Sequence, residues 1–391
     1  MTLLANIDLD ELSAALKQRG LDGWLVYDFH DLNPIAQRLL SAKSMVTRRV
    51  FIWLPAVGPP HLLVHGIDRP ALGGFPGEIE TYTTWQDLHQ SLTALVGGRR
   101  VAMETSPENA VPYLDLVPHG VHELLTRLGA TLVPSAPLIT QFASQWSAEE
   151  LEDHRQTAEA IASIARKTVA SVINQVGVAT EWAVQQAVIA DLAAHGLITE
   201  DPPIVGFGPG AADPHYSPEE DGSRTLQEGD VVLLDLWAQK SPFTVWADQT
   251  WMGFAGEAVP DELQRVWEAV TGARDAAVER LKLAVQAGER ATGAMLDTAA
   301  REVIHGYGYG EYFGHRTGHS IDLHLHGSGP HLDDFETHDI RELVPGVAFS
   351  VEPGIYLTGR FGVRSEINVF LGKDGPEVTP AEIQREIIVR S

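Results

Sequence analysis

The chain has 391 residues, of which 44% are hydrophobic, and its formal net charge is −25. This length exceeds what one hydrophobic core usually serves, so we expect two domains. The surplus of negative charge argues against a nucleic-acid partner or an anionic membrane, because phosphates are bound through Lys and Arg. The chain contains no cysteine, which excludes disulfides and thiolate zinc sites.

The first part of the chain is typical of a small mixed α/β domain. Its predicted elements are helices over 9–19 and 112–128, and strands over 24–28, 50–54, 61–64, 100–103 and 131–133. The N-terminus lacks the basic start and the continuous apolar run of a secretory signal, and no segment is long and apolar enough for a membrane span. We therefore expect a cytoplasmic protein without a membrane partner.

A domain boundary is expected near residues 145–147, which gives domains over 1–146 and 147–391. Ser147, followed three residues later by Glu150, is a capping box and predicts the start of a long helix. The further predicted elements are helices over 180–195, 261–287 and 292–304, and strands over 231–237, 244–254, 347–351, 366–371 and 386–390. Because helices and strands intermingle without a βαβ rhythm, the pattern favours an α+β fold.

Two carboxylates lie on strands that a hairpin can join. Asp235 follows the apolar run 231–234, and Asp248 comes thirteen positions later. A single Asp at such a position is best explained as a strand-ending or turn residue. A pair held close together repels itself unless a cation intervenes. Thr250 shares the strand face of Asp248 and is expected to hydrogen-bond a ligand.

Residues 314–326 contain four of the sixteen histidines. A random histidine cluster is usually solvated surface or a structural feature. Here the alternation over 322–326 predicts a strand with His324 and His326 on one face, and the glycines of the run allow close backbone approach. The pattern therefore favours a lined cavity.

Two further acids occupy strand ends. Glu352 precedes a Pro-Gly turn, and Glu366 opens a strand. Each alone is more often a surface residue. With Asp235, Asp248 and His319, however, they make four carboxylates and one imidazole, which balance the charge of two divalent cations. The set predicts a dinuclear hydrolytic site.

The order of these motifs resembles that of the pita-bread metallopeptidases, the family of methionine aminopeptidase, Xaa-Pro aminopeptidase and prolidase. That order is Asp, Asp-x-Thr, a run of three histidines, Glu-Pro-Gly and Arg-x-Glu. The matching positions here are Asp235, 248–250, His315 with His319 and His326, 352–354 and 364–366. The resemblance covers about residues 147–391 and implies a C-terminal pita-bread domain preceded by the smaller α/β domain.

The resemblance also implies a ligand set for two divalent metal ions. Asp235 would chelate one ion, Asp248 and Glu366 would bridge both, and His319 with Glu352 would complete the other. Mn²⁺ is the expected metal, with Co²⁺ and Zn²⁺ as alternatives, because oxygen-rich ligands with one imidazole do not select sharply.

Other matched residues would act on the substrate. Glu352 would relay the proton of the attacking water as general base. His315 and His326 would contact the substrate and the tetrahedral intermediate. His215 would lie near the peptide nitrogen, although its loop position alone is equally typical of a surface residue. Arg364 would place a cation beside the substrate.

The chain departs from the family pattern at several positions. The spacing of Asp235 and Asp248 is two residues longer than usual, which implies a longer hairpin around 239–244. Asp322 replaces a usual Gly, and Gly327 stands where an acidic residue is frequent. These departures bear on substrate preference more than on metal binding.

The preceding α/β domain favours the proline-specific branch and hydrolysis of the bond before proline in Xaa-Pro dipeptides. One alternative is an Xaa-Pro aminopeptidase acting on longer peptides. Another is a metal-free binding or scaffold protein of the same fold. A dipeptidase needs a cation for the substrate carboxylate, for which Arg316, Arg360 and Arg364 are candidates. The resemblance implies a small peptide substrate and a homodimer.

Overall fold

The structure, a computed structural model, describes residue 4, residues 7–40 and residues 46–390. The chain divides into two compact units, the first ending at Gln145 and the second beginning at Trp146. This division lies one residue from the expected boundary. The N-terminal residues on which the expectation about a secretory signal rests lie partly outside the described ranges. Among the described residues, no helix has both the length and the apolar character required to cross a membrane.

The first unit is built around a single mixed sheet. Its strands are β1 (Gly23–Asp28), β2 (Val50–Pro55), β3 (His61–His65), β4 (Glu78–Tyr82), β5 (Arg100–Met103) and β6 (Thr131–Pro134). Its helices are α1 (Leu9–Gln18), α2 (Pro34–Leu40), α3 (Trp85–Val96), α4 (His119–Arg127) and α5 (Ala136–Phe142). The sheet order is β4-β3-β2-β1-β5-β6, in which β1 pairs antiparallel with β2 and parallel with β5.

Both faces of this sheet are covered. Trp24 and Val26 of the fully buried strand β1 join one apolar cluster, and Leu25 and Tyr27 join another. Successive side chains of a strand point to opposite faces, so β1 contributes to a core on each side. This burial explains why its sequence is apolar throughout rather than alternating.

The helix predicted over 112–128 is wrong in its first half. A short 3₁₀ turn covers Pro112–Leu114, and helix α4 begins only at His119. Pro118 disfavours helical backbone at the residue before it, so Val117 cannot continue a helix from the 3₁₀ turn into α4.

The second unit contains the long helices and most of the remaining strands. Its helices are α6 (Ala148–Val172), α7 (Glu181–Ala194), α8 (Asp261–Ala287) and α9 (Gly293–Gly306). Its strands are β7 (Ile204–Phe207), β8 (Val231–Ala238), β9 (Ala247–Phe254), β10 (Ala348–Val351), β11 (Gly354–Leu357), β12 (Phe361–Arg364), β13 (Ile367–Gly372), β14 (Gly375–Thr379) and β15 (Ile388–Val389). The predicted α+β architecture is confirmed.

Local signals fix where the first long helix of this unit begins. Ser147 Oγ accepts a hydrogen bond from Glu150 N at 3.2 Å, and the Glu150 carboxylate accepts one from Ser147 N at 2.7 Å. The capping box predicted from the sequence is therefore present at the start of α6. It satisfies backbone donors that the helix itself leaves without partners.

The sheet that carries the site has the order β15-β9-β8-β7, beside smaller sheets β10-β13-β14 and β11-β12. Along β8, Val232 and Leu234 belong to the apolar cluster that contains residues of α6 and α7. Val231 and Leu233 belong to the cluster that contains residues of α8 and α9. Asp235 lies on the same strand face as Val231 and Leu233. Its carboxylate therefore lies at the end of the core that these residues share with α8 and α9.

Candidate active site

The hairpin of β8 and β9 brings the first two acids together. The strands are antiparallel, with Asp235 opposite Thr250 and Trp237 opposite Asp248. Opposed residues share a face, so both carboxylates and the threonine point to the same side. Residues 239–246 form the connection, which is the longer hairpin expected from the spacing.

Hydrogen bonds of the main chain and of the Ser350 hydroxyl place His319 and Glu352. Ser350 Oγ accepts from His319 N at 2.9 Å and donates to Glu352 Oε1 at 3.0 Å. Thr317 O accepts from Glu352 N at 2.8 Å. As a result, His319 Nε2 lies 3.4 Å from both Glu352 Oε1 and Asp248 Oδ2.

Thr250 and Arg364 connect the remaining acids. Thr250 Oγ1 lies 3.0 Å from Asp235 Oδ1 and 2.8 Å from Glu366 Oε2, so its single proton serves one carboxylate at a time. The same oxygen accepts from Arg364 Nε at 2.7 Å. The Arg364 guanidinium also forms an ion pair with Asp235. Asp235 therefore already has a cationic partner from the protein.

The donor set fits a divalent metal ion. Ligand atoms of Asp248, His319 and Glu366 all lie within 4.8 Å of one another. Within the part of the chain that the structure describes, buried Asp248 Oδ1 and Glu366 Oε1 accept no hydrogen bond. A buried carboxylate oxygen without a donor is costly, and a bound cation would remove that cost. Oxygen ligands with one imidazole are suited to Mn²⁺ and related ions.

The pKa values of these acids show how closely the carboxylates are packed. Burial raises the pKa of Asp248 to about 6, and the charge of Asp235 adds to this rise. Burial also raises the pKa of Glu366 far above its usual range, with Asp248 and Glu352 contributing in the same direction. Without an added cation, the cluster therefore opposes full ionisation of its carboxylates.

Glu352 behaves differently because basic side chains lie near it. Burial alone would raise its pKa, but the charges of His319 and Arg364 outweigh burial and hold the pKa at about 2. Arg364 is 6% exposed. Burial acts to lower the pKa of Arg364, yet Asp235 and other neighbouring groups raise it well above its usual value. Arg364 is therefore a permanent positive charge within the cluster.

The four acids, His319 and Arg364 open onto a pocket of about 440 Å³. The five predicted metal ligands line the pocket, together with His215, His326 and Arg364. The other lining residues are Asp201, Pro202, Ile204, Pro214, Tyr216, Ser217, Trp237 and Leu325. The pocket thus combines apolar walls with an acidic floor.

The three non-ligand histidines occupy different positions. His215 is exposed on a loop at the pocket, and its backbone N donates to Asp213 Oδ1 at 3.0 Å. His326 lines the pocket with an exposed ring, and partial desolvation together with the nearby charges of His319 and Arg316 lowers its pKa to about 3, so the ring is neutral near pH 7. His315 does not line the pocket. Its Nε2 pairs with Tyr356 Oη at 3.0 Å, and burial lowers its pKa.

The strand predicted over 322–326 is wrong, because this segment consists of bends. The carboxylate of Asp322 accepts from His324 N and Ser328 N, each at 2.8 Å, and this folds the chain into a turn. A Cβ on Gly327 would lie 2.7 Å from the Asp322 carboxylate. His324 consequently leaves the pocket and pairs with Asp322 at 3.6 Å, whereas His326 enters it.

Sequence reasoning missed residues that hold the site in place. Asn368 accepts from Asp248 N at 2.9 Å and donates to Asp248 O at 2.8 Å. Ser350 and Tyr356 act through the contacts given above. No spacing signal in the sequence marks these positions. Of the arginines considered for a substrate carboxylate, Arg316 and Arg360 are not among the pocket-lining residues.

Comparisons with known proteins find a metallopeptidase family and proteins named as dipeptidases. A family model described as metallopeptidase family M24 matches residues 153–373. The probable dipeptidase PepE of Mycobacterium tuberculosis is 29% identical over 382 residues, covering 96% of this chain and 94% of that protein. The Xaa-Pro dipeptidase of Lactobacillus delbrueckii subsp. lactis is 36% identical over 172 residues, covering 44% of this chain and 42% of that protein.

Solved structures show a likeness over a similar share of the chain. Dipeptidase PepE from Mycobacterium ulcerans superposes with a TM-score of 0.78 at 26% identity, covering 97% of this chain and 96% of that chain. Prolidase from Pyrococcus horikoshii OT3 gives a TM-score of 0.70 at 22% identity, with 97% and 99% covered, and shows the fold alone. The predicted pita-bread domain, preceded by a smaller α/β domain, is confirmed.

Proposed function

The chain belongs to metallopeptidase family M24, and from this premise we propose that it hydrolyses the peptide bond before proline, using two divalent metal ions. Xaa-Pro dipeptides are the proposed substrates. The observation that carries the proposal is the group of Asp248, His319 and Glu366, whose ligand atoms lie within 4.8 Å of one another in a pocket that Asp235 and Glu352 also line. Within this group, Asp248 Oδ1 and Glu366 Oε1 are buried without a donor among the described residues.

The proposed ligands are those named from the sequence: Asp235, Asp248, His319, Glu352 and Glu366. Mn²⁺ is the proposed metal, with Co²⁺ and Zn²⁺ as alternatives. When bound, the ions supply Lewis acidity to the peptide carbonyl and lower the pKa of the attacking water. Arg364 pairs with Asp235 Oδ2, and Thr250 Oγ1 lies 3.0 Å from Asp235 Oδ1, so both oxygens of this proposed ligand already have partners in the protein.

The proposed general base is Glu352. Its low pKa keeps it ionised near neutral pH, and Ser350 Oγ fixes one of its oxygens at 3.0 Å. A carboxylate oriented in this way accepts a proton from water and later passes it to the leaving nitrogen. The proposed substrate contacts are His326, which is neutral and lines the pocket, and His215 at its rim. We propose that His315 acts through Tyr356, to which it is hydrogen-bonded.

The pocket walls support a preference for proline. Pro202, Ile204, Trp237 and Leu325 offer apolar surface beside the acidic cluster. A pyrrolidine ring is compact and apolar, and it gains free energy when such a surface removes it from water. The relatives whose names specify Xaa-Pro dipeptidase add support for this substrate class.

One observation favours the second candidate, an Xaa-Pro aminopeptidase acting on longer peptides. Among the described pocket-lining residues, Arg364 is the only Lys or Arg, and it is already paired with Asp235. A dipeptide carboxylate therefore has no uncommitted cation in the pocket of this chain. Longer peptides carry their carboxylate further from the site and do not need one there.

Hydrolysis of Xaa-Pro and Xaa-Pro-Yaa-Zaa peptides with added Mn²⁺ tests the proposal. We expect the dipeptide to be cleaved at least about tenfold faster, with an Xaa-Ala dipeptide as the control for proline preference. Equal rates on the dipeptide and the longer peptide would favour an Xaa-Pro aminopeptidase instead. Elemental analysis of the same preparation measures the metal content. Assembly as a homodimer, a cytoplasmic location and the lack of a nucleic-acid partner remain proposals.

A further inference from the structure

A buried carboxylate outside the pocket binds the segment that carries two of the site histidines. Asp297 on α9 is 0% exposed. Its Oδ1 accepts from Thr317 Oγ1 at 2.6 Å and from Thr317 N at 3.0 Å. The Thr317 N–H is bifurcated, because it also donates to Leu332 O. Its Oδ2 accepts from Arg301 Nε at 2.8 Å and from Asp334 N at 3.1 Å. Both oxygens of this carboxylate are therefore fully used.

Arg301, one helical turn after Asp297, binds the same segment at two further points. Its guanidinium donates to Phe313 O at 3.2 Å and to His315 O. It lies between two aromatic rings, 4.3 Å from the centroid of Phe313 and 4.0 Å from that of Phe335. Such contacts restrict the planar guanidinium to a single orientation. The carbonyls at 313 and 315 are fixed with it.

The held segment touches the reacting groups directly. Residues 313–317 include His315 and lead into His319. Thr317 O accepts from Glu352 N at 2.8 Å, so the hydrogen bonds of Asp297 reach the proposed general base through one residue. A displacement of about 1 Å at a catalytic group costs on the order of a hundredfold in rate. A rigid support from α9 prevents such a displacement.

We propose that Asp297 and Arg301 are positioning residues, which set the placement of His315 and Glu352 without touching the substrate. This inference rests on the proposed function for its catalytic consequence. The contacts explain why the chain keeps an ion pair here, with Asp297 fully buried and Arg301 partly buried, because burying such a pair is costly. The benefit of this ion pair is that it orients the main chain. Four donors to Asp297 and two carbonyls that accept from Arg301 hold the segment in one conformation.

Two variants remove the support while keeping the residue size. Thr317→Val deletes the hydroxyl that binds Asp297, and Arg301→Lys keeps the charge but loses the forked contact with the two carbonyls. Thr298→Val is the matched control for the first, because Thr298 Oγ1 donates only to Ala294 O of its own helix, at 2.9 Å. Arg265→Lys is the control for the second, since Arg265 donates to Tyr307 O at 3.1 Å and lies over the Tyr307 ring.

We expect Thr317→Val and Arg301→Lys each to lower kcat by about tenfold or more while KM changes by less than about threefold. The control variants should stay within about twofold of wild type in both constants. A merely structural role would lower the melting temperature and leave kcat of the folded fraction unchanged. A kcat equal to that of the controls would overturn the inference.

Hydrogen exchange of the metal-free protein gives a readout that does not depend on activity. Amides of 313–319 should exchange faster in Thr317→Val and Arg301→Lys than in Thr298→Val and Arg265→Lys. Equal exchange in all four variants would refute the positioning role. If wild type cleaves no Xaa-Pro peptide, the proposed function fails, and the exchange experiment still decides whether α9 holds this segment.

Discussion

Glu104 in the first unit and the site acids Asp248 and Glu366 in the second are all buried, but their carboxylates have different partners. In the first unit, the Glu104 carboxylate accepts from Trp24 Nε1 at 2.6 Å, Ser135 Oγ at 3.3 Å and Tyr27 N at 3.4 Å. In the second unit, Asp248 and Glu366 each keep an oxygen without a donor among the described residues. Where a carboxylate serves the fold, the protein supplies its donors. At the proposed metal site, by contrast, the protein leaves one oxygen of each of these two carboxylates without a donor among the described residues.

The pKa values of Glu104 and Glu366 are also raised for partly different reasons. Burial raises the pKa of Glu104 to about 7, against the opposing effect of its hydrogen-bond donors. Burial also raises the pKa of Glu366, and there the neighbouring carboxylates add to the rise. A proton is sufficient to neutralise Glu104. In the second unit, a divalent cation at the proposed metal site would neutralise several carboxylates at once.

The largest expected effect is on catalysis, and it distinguishes Glu352 in the second unit from Glu104 in the first. Glu352→Gln should lower kcat/KM for an Xaa-Pro dipeptide by about a hundredfold or more, because the amide cannot accept the proton of water. Glu104→Gln, the matched change in the first unit, should leave kcat/KM within about twofold of wild type. Steady-state kinetics on both variants make the comparison. An unimpaired Glu352→Gln enzyme would mean that the proton relay is wrongly assigned.

The next effect concerns pH and the stability of the first unit. The Glu104 pKa rises from 4.5 to about 7 on folding, so the folded protein retains a proton that the unfolded chain releases. Stability from this group is therefore complete below about pH 4.5 and decreases as pH rises to about 7. At ~1.4 kcal/mol per pH unit, the change amounts to about 3 kcal/mol.

Urea unfolding at pH 5 and pH 8 measures this dependence. Wild type should lose stability between the two values, and Glu104→Gln should lose less, because the amide remains neutral at both. Other titrating groups contribute equally to both proteins, so the difference between wild type and variant isolates Glu104. The same pH dependence in both proteins would rule out a neutral Glu104 in the folded state.

Metal loading should stabilise the second unit. At a Mn²⁺ concentration about 100 times the Kd, binding contributes about 2.7 kcal/mol, which corresponds to a Tm increase of roughly 5–10 °C for a domain of this size. Differential scanning calorimetry with Mn²⁺ and with chelator measures the shift. Asp248→Asn should abolish it and Glu104→Gln should retain it. If the wild-type Tm were the same with Mn²⁺ and with chelator, the result would contradict the proposed metal centre.

The smallest expected effect is at an exposed ion pair. Arg360 bonds Glu262 at 2.6 Å and 3.0 Å, and both side chains are about half exposed. Arg360→Ala should change the free energy of unfolding by less than about 1 kcal/mol, because solvent screens such pairs. It should leave kcat/KM for Xaa-Pro dipeptides unchanged, since Arg360 does not line the pocket. A large rise in KM would restore Arg360 as the carboxylate-binding residue.

Predictions from the sequence succeeded where the signal was local or periodic. The capping box of Ser147 and Glu150 and the hairpin of β8 and β9 are both present. The helix over 112–128 failed because Pro118 interrupts it, and the strand over 322–326 failed because Asp322 turns the chain. In both failures, one residue with a strong backbone preference overrode a plausible hydrophobic pattern.

The amino-acid sequence by itself determined the chemistry of the site, because the order and type of the acids and histidines restrict which ions and reactions they can support. Only the tertiary structure decided how those groups share charge. The pairing of Asp235 with Arg364 and the support of Thr317 by Asp297 both join residues that are distant in sequence. Such contacts depend on packing in three dimensions, which no spacing along the chain encodes.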